Sequence, residues 1–580
     1  MCHLLVSQLT LRERKYLSFI TTNVSMKRRE FLQTLIPGNK KNLRIQSVSS
    51  SIASWQPTTD NPWDVSAINH LYHRLGFSGT YEEIQAGLQS TPSEIITSLM
   101  DDYLVTDQMP VPPDGWQEWL VIPPYTGTDH VIYQQESDLY HTAKTDIRCQ
   151  WTVMMTQPQI QLREKLTLFW HNHFVVEEVK VNYPQMMFHY FEYLRKNAWG
   201  NFKQMVKDIT ILPAMLTYLS GIWSSKDSLN ENYGREVMEL FALGRIDRYG
   251  NENYTQDDVR HVALAVTGWR FKFLTPGAHN VTPPYFANYY FDFDTKTTPF
   301  GADAKVYGLD TAKDYALFPD SIDKIEADII ELLFEKRAAQ IAWFICKTIY
   351  SAFVYNNATT PEAELVIEQL AQILLDNNWE LKPVFLTLFQ SEHFFDPNFR
   401  GAAIKSPYEY MCGLMRKLNI PITNYQAGDL WLFGMDTNQW LCSPPNVKGW
   451  PGYHAWLNSD ILPKRNNDFA LSLIMQKAVP GRGLNPHNGF LWDSIPFSDT
   501  DVTTWAKQFP DYGNDLLQFV RQMTEFLCAL IPDDTELSAI AASSGIIHTY
   551  EWAALSDDIK VLPIRKMLYS IVDLPHFQLC

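Results

Sequence analysis

The chain has 580 residues, 46% of them hydrophobic, enough to bury a large core with room for several subdomains. Its 48 lysines and arginines stand against 65 acids, a formal charge of −17, which disfavours a nucleic-acid partner because phosphate binding needs a basic surface for counterion release. Seven dispersed cysteines without a C-x-x-C pair exclude a zinc ribbon and a thioredoxin-type motif, and no apolar run approaches the length of a membrane span.

Near the N-terminus, Ser25-Met26-Lys27-Arg28-Arg29-Glu30-Phe31-Leu32 has the form of a twin-arginine export motif, with Met26 as an alternative start to Met1. The apolar segment that an export signal needs is missing before Pro37-Gly38. A basic disordered arm over residues 1–60 therefore stands beside export as a reading, and an exported or periplasmic location is favoured over a cytoplasmic one. Order is expected from Pro62-Trp63-Asp64 onward. A helix follows over 67–75 with Gly76 as its stop, and Thr80-Tyr81-Glu82-Glu83 is a capping box opening a second. Residues 103–130 are proline-rich and loop-like.

From 148 to 245 the pattern is helical, with apolar residues at three- and four-residue spacing over 161–169 and 186–197. Ser228-Leu229-Asn230-Glu231 reads as a capping box for a helix that ends at Gly244, and Thr255-Gln256-Asp257-Asp258 as a looser one. Residues 271–310 form a long irregular insertion, with room for a short hairpin and a length that suits a lid or binding loop. Helical spacing resumes over 322–356, 361–377, 382–391 and 408–418, and again over 514–530 and 562–574. Between them, Cys442-Ser443-Pro444-Pro445-Asn446-Val447-Lys448-Gly449-Trp450-Pro451-Gly452 is an ordered, turn-rich loop. The expected fold is mainly α: a helical core over 61–470 carrying the motifs, a helical part over 471–580 packed on the same core, and little strand.

Two segments concentrate polar chemistry in aromatic surroundings. Phe169-Trp170-His171-Asn172-His173-Phe174 places two histidines around an amide. On a continuous helix those imidazoles diverge by about 200° and cannot chelate one ion; in an extended or helix-end geometry they can share a metal such as zinc or iron. The second segment carries Asn232, Arg235, Glu236 and Glu239 in one narrow helical sector. Three readings stand for these residues: a buried Arg–carboxylate lattice bracing the histidines, a catalytic or ligand site, and a solvated face. Lys448 and Trp450 either line a pocket mouth or serve only the rigid folding of their Pro- and Gly-rich loop. The chain shows no nucleophile elbow, phosphate-cradling glycine loop or dinucleotide fingerprint.

The run from Leu162-Arg163-Glu164-Lys165 through His173-Phe174, then Asn230-Glu231-Asn232-Tyr233-Gly234-Arg235-Glu236, Thr267-Gly268-Trp269, Ile404-Lys405-Ser406-Pro407 and Pro445-Asn446-Val447-Lys448-Gly449-Trp450-Pro451-Gly452 together resemble a bacterial family catalogued as domain of unknown function 1800. The resemblance covers roughly residues 62–580. It implies a predominantly helical fold, frequent export signals and gene neighbours from a sulfatase-like family, and no established activity. The chain departs from the family pattern at Asp292-Phe293-Asp294, which lacks an expected histidine, and at His393 and His576, which stand where an acid is usual.

The functional expectation is a hydrolase acting on an envelope or extracellular polymer. In it His171 and His173 serve as bases or metal ligands, Arg235, Glu236 and Glu239 complete the catalytic set, and Asn232, Trp170, Lys448 and Trp450 bind the ligand. A divalent metal is the candidate cofactor. The alternative is a non-catalytic scaffold or binding partner of a sulfatase-like protein. Under either reading the 169–174 and 230–239 segments are expected to pack together, with His171 or His173 within hydrogen-bonding reach of Glu231, Glu236 or Glu239, because buried polar groups need partners.

Overall fold

Helices carry nearly all the regular structure of this chain in a computed structural model that describes residues 48–100, 130–158, 161–271, 285–290, 325–476, 497–546 and 549–580. The twin-arginine-like run, nearly all of the proline-rich segment and most of the 271–310 insertion, with Asp292-Phe293-Asp294, lie outside the described residues. At the near edges of that insertion, Trp269–Arg270 pairs antiparallel with Tyr285–Phe286.

Capping chemistry sets the helix starts. Helix α1 (Val65–Leu75) opens where Asp64 accepts from the Ala67 amide at 2.9 Å. Reciprocal capping boxes start α2 (Tyr81–Gly87) at Thr80 and α3 (Pro92–Leu99) at Thr91. The long α4 (His130–Met155) precedes α5 (Gln161–His173), which carries the histidine motif, and α6 (Pro184–Lys196) and α7 (Phe202–Ile211) pack nearby.

The expected helix over 228–243 is different in detail. Ser228 does not cap; its backbone pairs with Ser225 in a tight turn, and Asn230 Oδ1 accepts the Asn232 amide at 2.9 Å instead. Regular helix α8 therefore spans only Asn232–Glu236 before widening into a π-turn over Val237–Ala242. Gly244 ends the segment at φ +76°, a backbone region that suits glycine. The Thr255–Asp258 box opens α9 (Gln256–Ala265) as expected.

Arg337 splits the expected 322–356 helix into α10 (Ile325–Lys336) and α11 (Ala338–Phe353), and its Nε donates to the Asn253 carbonyl at 2.9 Å. Next come α12 (Pro361–Asp376), α13 (Leu381–Gln390), α14 (Pro407–Lys417), which a Ser406–Glu409 box starts, and α15 (Asn424–Asp436). The C-terminal part contributes α16 (Asp499–Ala506), α17 (Leu516–Leu527), α18 (Asp534–Ser543) and α19 (Asp557–Val572).

One contiguous apolar core runs from Trp55 to Phe577, so the C-terminal helices share it with the motif-bearing ones. Ordered packing reaches back into the segment read as an arm: Trp55 stacks on Phe395 with centroids 4.4 Å apart, and Ser54 bridges to Ser391. The six described cysteines are buried and unpaired. Among the described residues no helix is long and apolar enough to cross a membrane.

Helix α8 crosses α9 at Gly234, where an added Cβ would lie 2.7 Å from the Val259 carbonyl oxygen and 3.0 Å from the Ala263 amide. Both neighbours are helix backbone and cannot give way. Gly234→Ala is expected to destabilise the fold by about 1–3 kcal/mol, read from urea midpoints. Gly513→Ala, which meets nothing within 4 Å, should stay within about 0.5 kcal/mol of the parent.

Candidate functional site

A cavity of about 410 Å³ opens between α1, α5, α11, the 403–409 segment and the 447–456 loop. Helical spacing explains its α5 wall: Lys165, Leu168, Phe169, Asn172 and His173 recur every three or four residues along one face. Phe344, Thr348 and Ser351 do the same on α11, and adjacent His73 and Arg74 project from α1.

His171 and His173 lie on one continuous helix, so their rings point to different neighbours. His171 is fully buried against Trp151, Tyr190, Phe191 and Trp450. Its Nδ1 lies 2.9 Å from the Tyr190 hydroxyl, which itself donates to the Phe174 carbonyl at 2.8 Å. Because that hydroxyl proton is used, Nδ1–H is the donor to Tyr190. Burial pushes the His171 pKa down to about 3. His171 is a core histidine and does not line the cavity.

His173 does line it. Its Nε2 is 2.7 Å from the Phe241 carbonyl in the π-turn, a contact that requires Nε2–H and leaves Nδ1 as an acceptor. Burial lowers its pKa to about 4, with the Phe241 bond opposing. The 169–174 segment therefore meets the π-turn at Phe241, two residues beyond the expected 230–239 stretch, and the imidazole partner is a backbone carbonyl and not a carboxylate. Neither His171 nor His173 bonds to Glu231, Glu236 or Glu239.

The acidic face stays outside the cavity. Asn232 is exposed, and Arg235 reaches Glu231 at 3.6 Å and Gln256 at 3.2 Å near the surface. Glu236 is half-buried, and burial followed by repulsion from Glu239 raises its pKa. Glu239 accepts from the Tyr254 hydroxyl at 3.3 Å and approaches Lys448 at 3.9 Å. Lys448 is 69% exposed at the cavity mouth, so it is the link between this face and the cavity. Trp170 is fully buried, donating its indole N–H to the Ala198 carbonyl at 2.7 Å, and has no access to the cavity. Trp450 does reach it, and its amide donates to Asn172 Oδ1 at 2.7 Å. Gly449 makes that approach feasible: a Cβ there would sit 2.2 Å from Asn172 Oδ1.

The buried lattice expected of Arg235, Glu236 and Glu239 does not form, since Arg235 stands near the surface; buried Arg–carboxylate pairing is found on α5 and α6 instead. Arg195 Nε meets the fully buried Glu164 at 2.6 Å, and Arg163 donates to the Arg195 carbonyl at 2.9 Å. Burial raises the Glu164 pKa, with Arg195 opposing. One residue on, Lys165 pairs with Glu409 in the cavity wall. Burial alone pushes the Glu409 carboxyl up, but Lys165 and the Ser406 amide outweigh it and hold it below its ordinary value.

Sequence reading missed His73 and Arg74. Arg74 is 3% exposed; its Nη2 donates to the Phe399 carbonyl at 2.9 Å and its Nε has no partner. His73 is 2% exposed with neither ring nitrogen bonded. Burial and then nearby Lys405 and Lys417 hold its pKa well below the ordinary range, so it is neutral. The available signal was a helix, His70-Leu71-Tyr72-His73-Arg74-Leu75, whose polar residues sit among apolar ones with no polar face of their own.

The sequence from His70 to Leu579 matches the family described as protein of unknown function (DUF1800). This chain belongs to that family. No curated protein and no solved structure matches it. The sequence blocks on which the resemblance rests divide between two places here: the cavity wall, with Lys165, His173, Ser406 and Trp450, and the surface face around Arg235. Among the described residues no group of three or more His, Cys, Asp or Glu stands together to hold a metal ion.

Both motif histidines make stability depend on pH. Their folded pKa values, about 3 and about 4, lie below the ordinary 6.5, so the unfolded chain binds more protons across that window. Stability is fully present above pH 6.5 and falls as pH drops towards 4, by about 1.4 kcal/mol per unit for each histidine. Urea titrations between pH 7 and 5 should show this slope, and His171→Leu should remove about one histidine's share of it.

Proposed function

We propose that this protein is a hydrolase acting on an envelope or extracellular polymer, and that the reaction takes place in the cavity beside His173. The observation that carries this reading is a neutral imidazole held in one tautomer by Phe241, with Nδ1 left to accept a proton, in the wall of a 410 Å³ cavity. In this reading Nδ1 takes the proton of an attacking water and, as the imidazolium, returns it to the leaving oxygen. Lys165, in the same wall, supplies positive charge for oxygen that becomes negative in the transition state. Asn172 positions the Trp450 loop that closes one side. Glu409 keeps Lys165 in place and has no proton to give while ionised.

Release of ester-linked groups from extracted envelope polymers tests the proposal, because breaking those links passes through a negatively charged oxygen. His173→Gln should lower kcat by about 10²–10⁴-fold while the helical circular dichroism signal stays intact. An unchanged kcat in that variant would remove His173 from the reaction and sink the reading.

A second reading, docking of a sulfatase-like partner, is favoured by the exposure of Asn232 and of the Arg235–Glu231–Gln256 group, none of which serves the cavity. Arg235→Glu separates the two. It should abolish complex formation with the purified sulfatase-like neighbour under the docking reading, and leave His173-dependent hydrolysis unchanged under the first.

A further inference from the structure

We infer that the inner wall of the cavity, where α1 presents His73 and Arg74, is a subsite for an oxyanion carried by the ligand: a carboxylate, sulfate or phosphate group. The inference rests on the cavity being the working site. Its own support is the charge balance of the wall.

Arg74 is buried, and no carboxylate among the described residues lies within ion-pair distance of it. Its contact to the Phe399 carbonyl satisfies one nitrogen and leaves Nε without a partner. Glu409, the carboxylate in the cavity wall, is already taken by Lys165. Behind His73 the positive charge continues: Lys405 Nζ donates to the Phe577 carbonyl at 2.8 Å, and Lys417 Nζ to Asn69 Oδ1 at 2.5 Å. Both amines are buried on neutral oxygens, and burial holds both below their ordinary pKa, Lys405 at about 8 and Lys417 well below the lysine range. Uncompensated buried cations are costly, and a bound anion relieves that cost.

Geometry suits the same conclusion. A guanidinium presents N–H groups in a planar fork that fits two oxygens of one oxyanion. His73, neutral with both ring nitrogens unbonded, donates one N–H to that anion and accepts from a neighbouring hydroxyl with the other nitrogen. A neutral ligand would leave both groups unsatisfied. Toward the mouth, Gln439, Asn172, Trp450 and Tyr453 offer amides and aromatic faces for a hydroxylated body. The ligand class is thus a small hydroxylated acid, such as an acidic or sulfated sugar unit.

Calorimetric titration of the full chain with glucuronate, sulfate, inorganic phosphate and glucose tests the subsite. At least one oxyanion should bind saturably at one per chain, and which one does so identifies the source of the charge. His73→Leu and Arg74→Gln should each weaken it roughly tenfold or more, with Arg235→Gln unchanged. Glucose should bind at least about tenfold more weakly than glucuronate if the acid is a carboxylate. Should Arg74→Gln fail to fold, His73→Leu carries the comparison, because it uncovers no charge. Glucose binding as tightly as the tightest oxyanion, or oxyanions binding both variants as tightly as the parent, would overturn the subsite. No oxyanion binding at all would overturn it too, while loss of hydrolysis in His173→Gln would leave the proposed reaction standing.

Discussion

Three consecutive charged residues, Arg163, Glu164 and Lys165, are buried on α5, and each must find its counterpart before that helix can pack. Taking a charge out of water costs several kcal/mol, and removing one member of a buried pair costs about 3–5 kcal/mol. Arg195 answers Glu164, and its carbonyl accepts from Arg163, which fastens α6 to α5. Glu409 answers Lys165 from the first turn of α14, more than two hundred residues away. The position of α14, with the 403–406 segment before it, follows from this pair as much as from apolar contact.

That pairing also keeps the cavity open. An apolar gap between α1, α5 and α11 would lower its energy by side chains moving in to fill it. Walls carrying Lys165, Glu409, Arg74 and His73 cannot close without stripping these groups of what partners they have. Polar lining therefore makes the space a standing feature of the fold. The same Glu409 serves twice, since its other oxygen receives the Ser406 amide at 2.5 Å and completes the capping box of α14. One carboxylate thus sets a helix start, a long-range ion pair and a cavity wall.

Local rules carried the reading of the fold far. Thr80, Thr255, the loop around Gly449 and the helices through 361–390 were legible because capping boxes, glycine stops and apolar spacing act within a few residues. Widening of α8 into a π-turn was not, because residues 237–242 keep a helix-like pattern while their hydrogen bonding shifts. The site was half legible. His173, Lys448 and Trp450 line the cavity, whereas Arg235 and Glu236 proved to be near the surface. Their sector rests on regular helical spacing, which the π-turn interrupts before Glu239, and a sector says nothing about which neighbour covers it. His73 and Arg74 escaped for the converse reason: α1 is buried on nearly every side, so its polar residues made no stripe to notice.

The His171-Asn172-His173 run shows why a motif can be dense in chemistry without being one site. Each residue of a helix is turned about 100° from the last, so three in a row face three neighbours. His171 turns to Tyr190 and fastens α6; Asn172 turns to the Trp450 amide and holds the 447–452 loop; His173 turns to the Phe241 carbonyl and holds the π-turn. Spacing of two on a helix thus separates the imidazoles instead of converging them on a shared ion. It also explains how one short stretch ties together segments from 184 to 452. The partner of His173 is the Phe241 carbonyl, which the π-turn over Val237–Ala242 carries. A carbonyl, unlike a carboxylate, brings no full negative charge to draw a proton onto the ring. Burial then decides the balance, and the imidazole beside the cavity stays neutral.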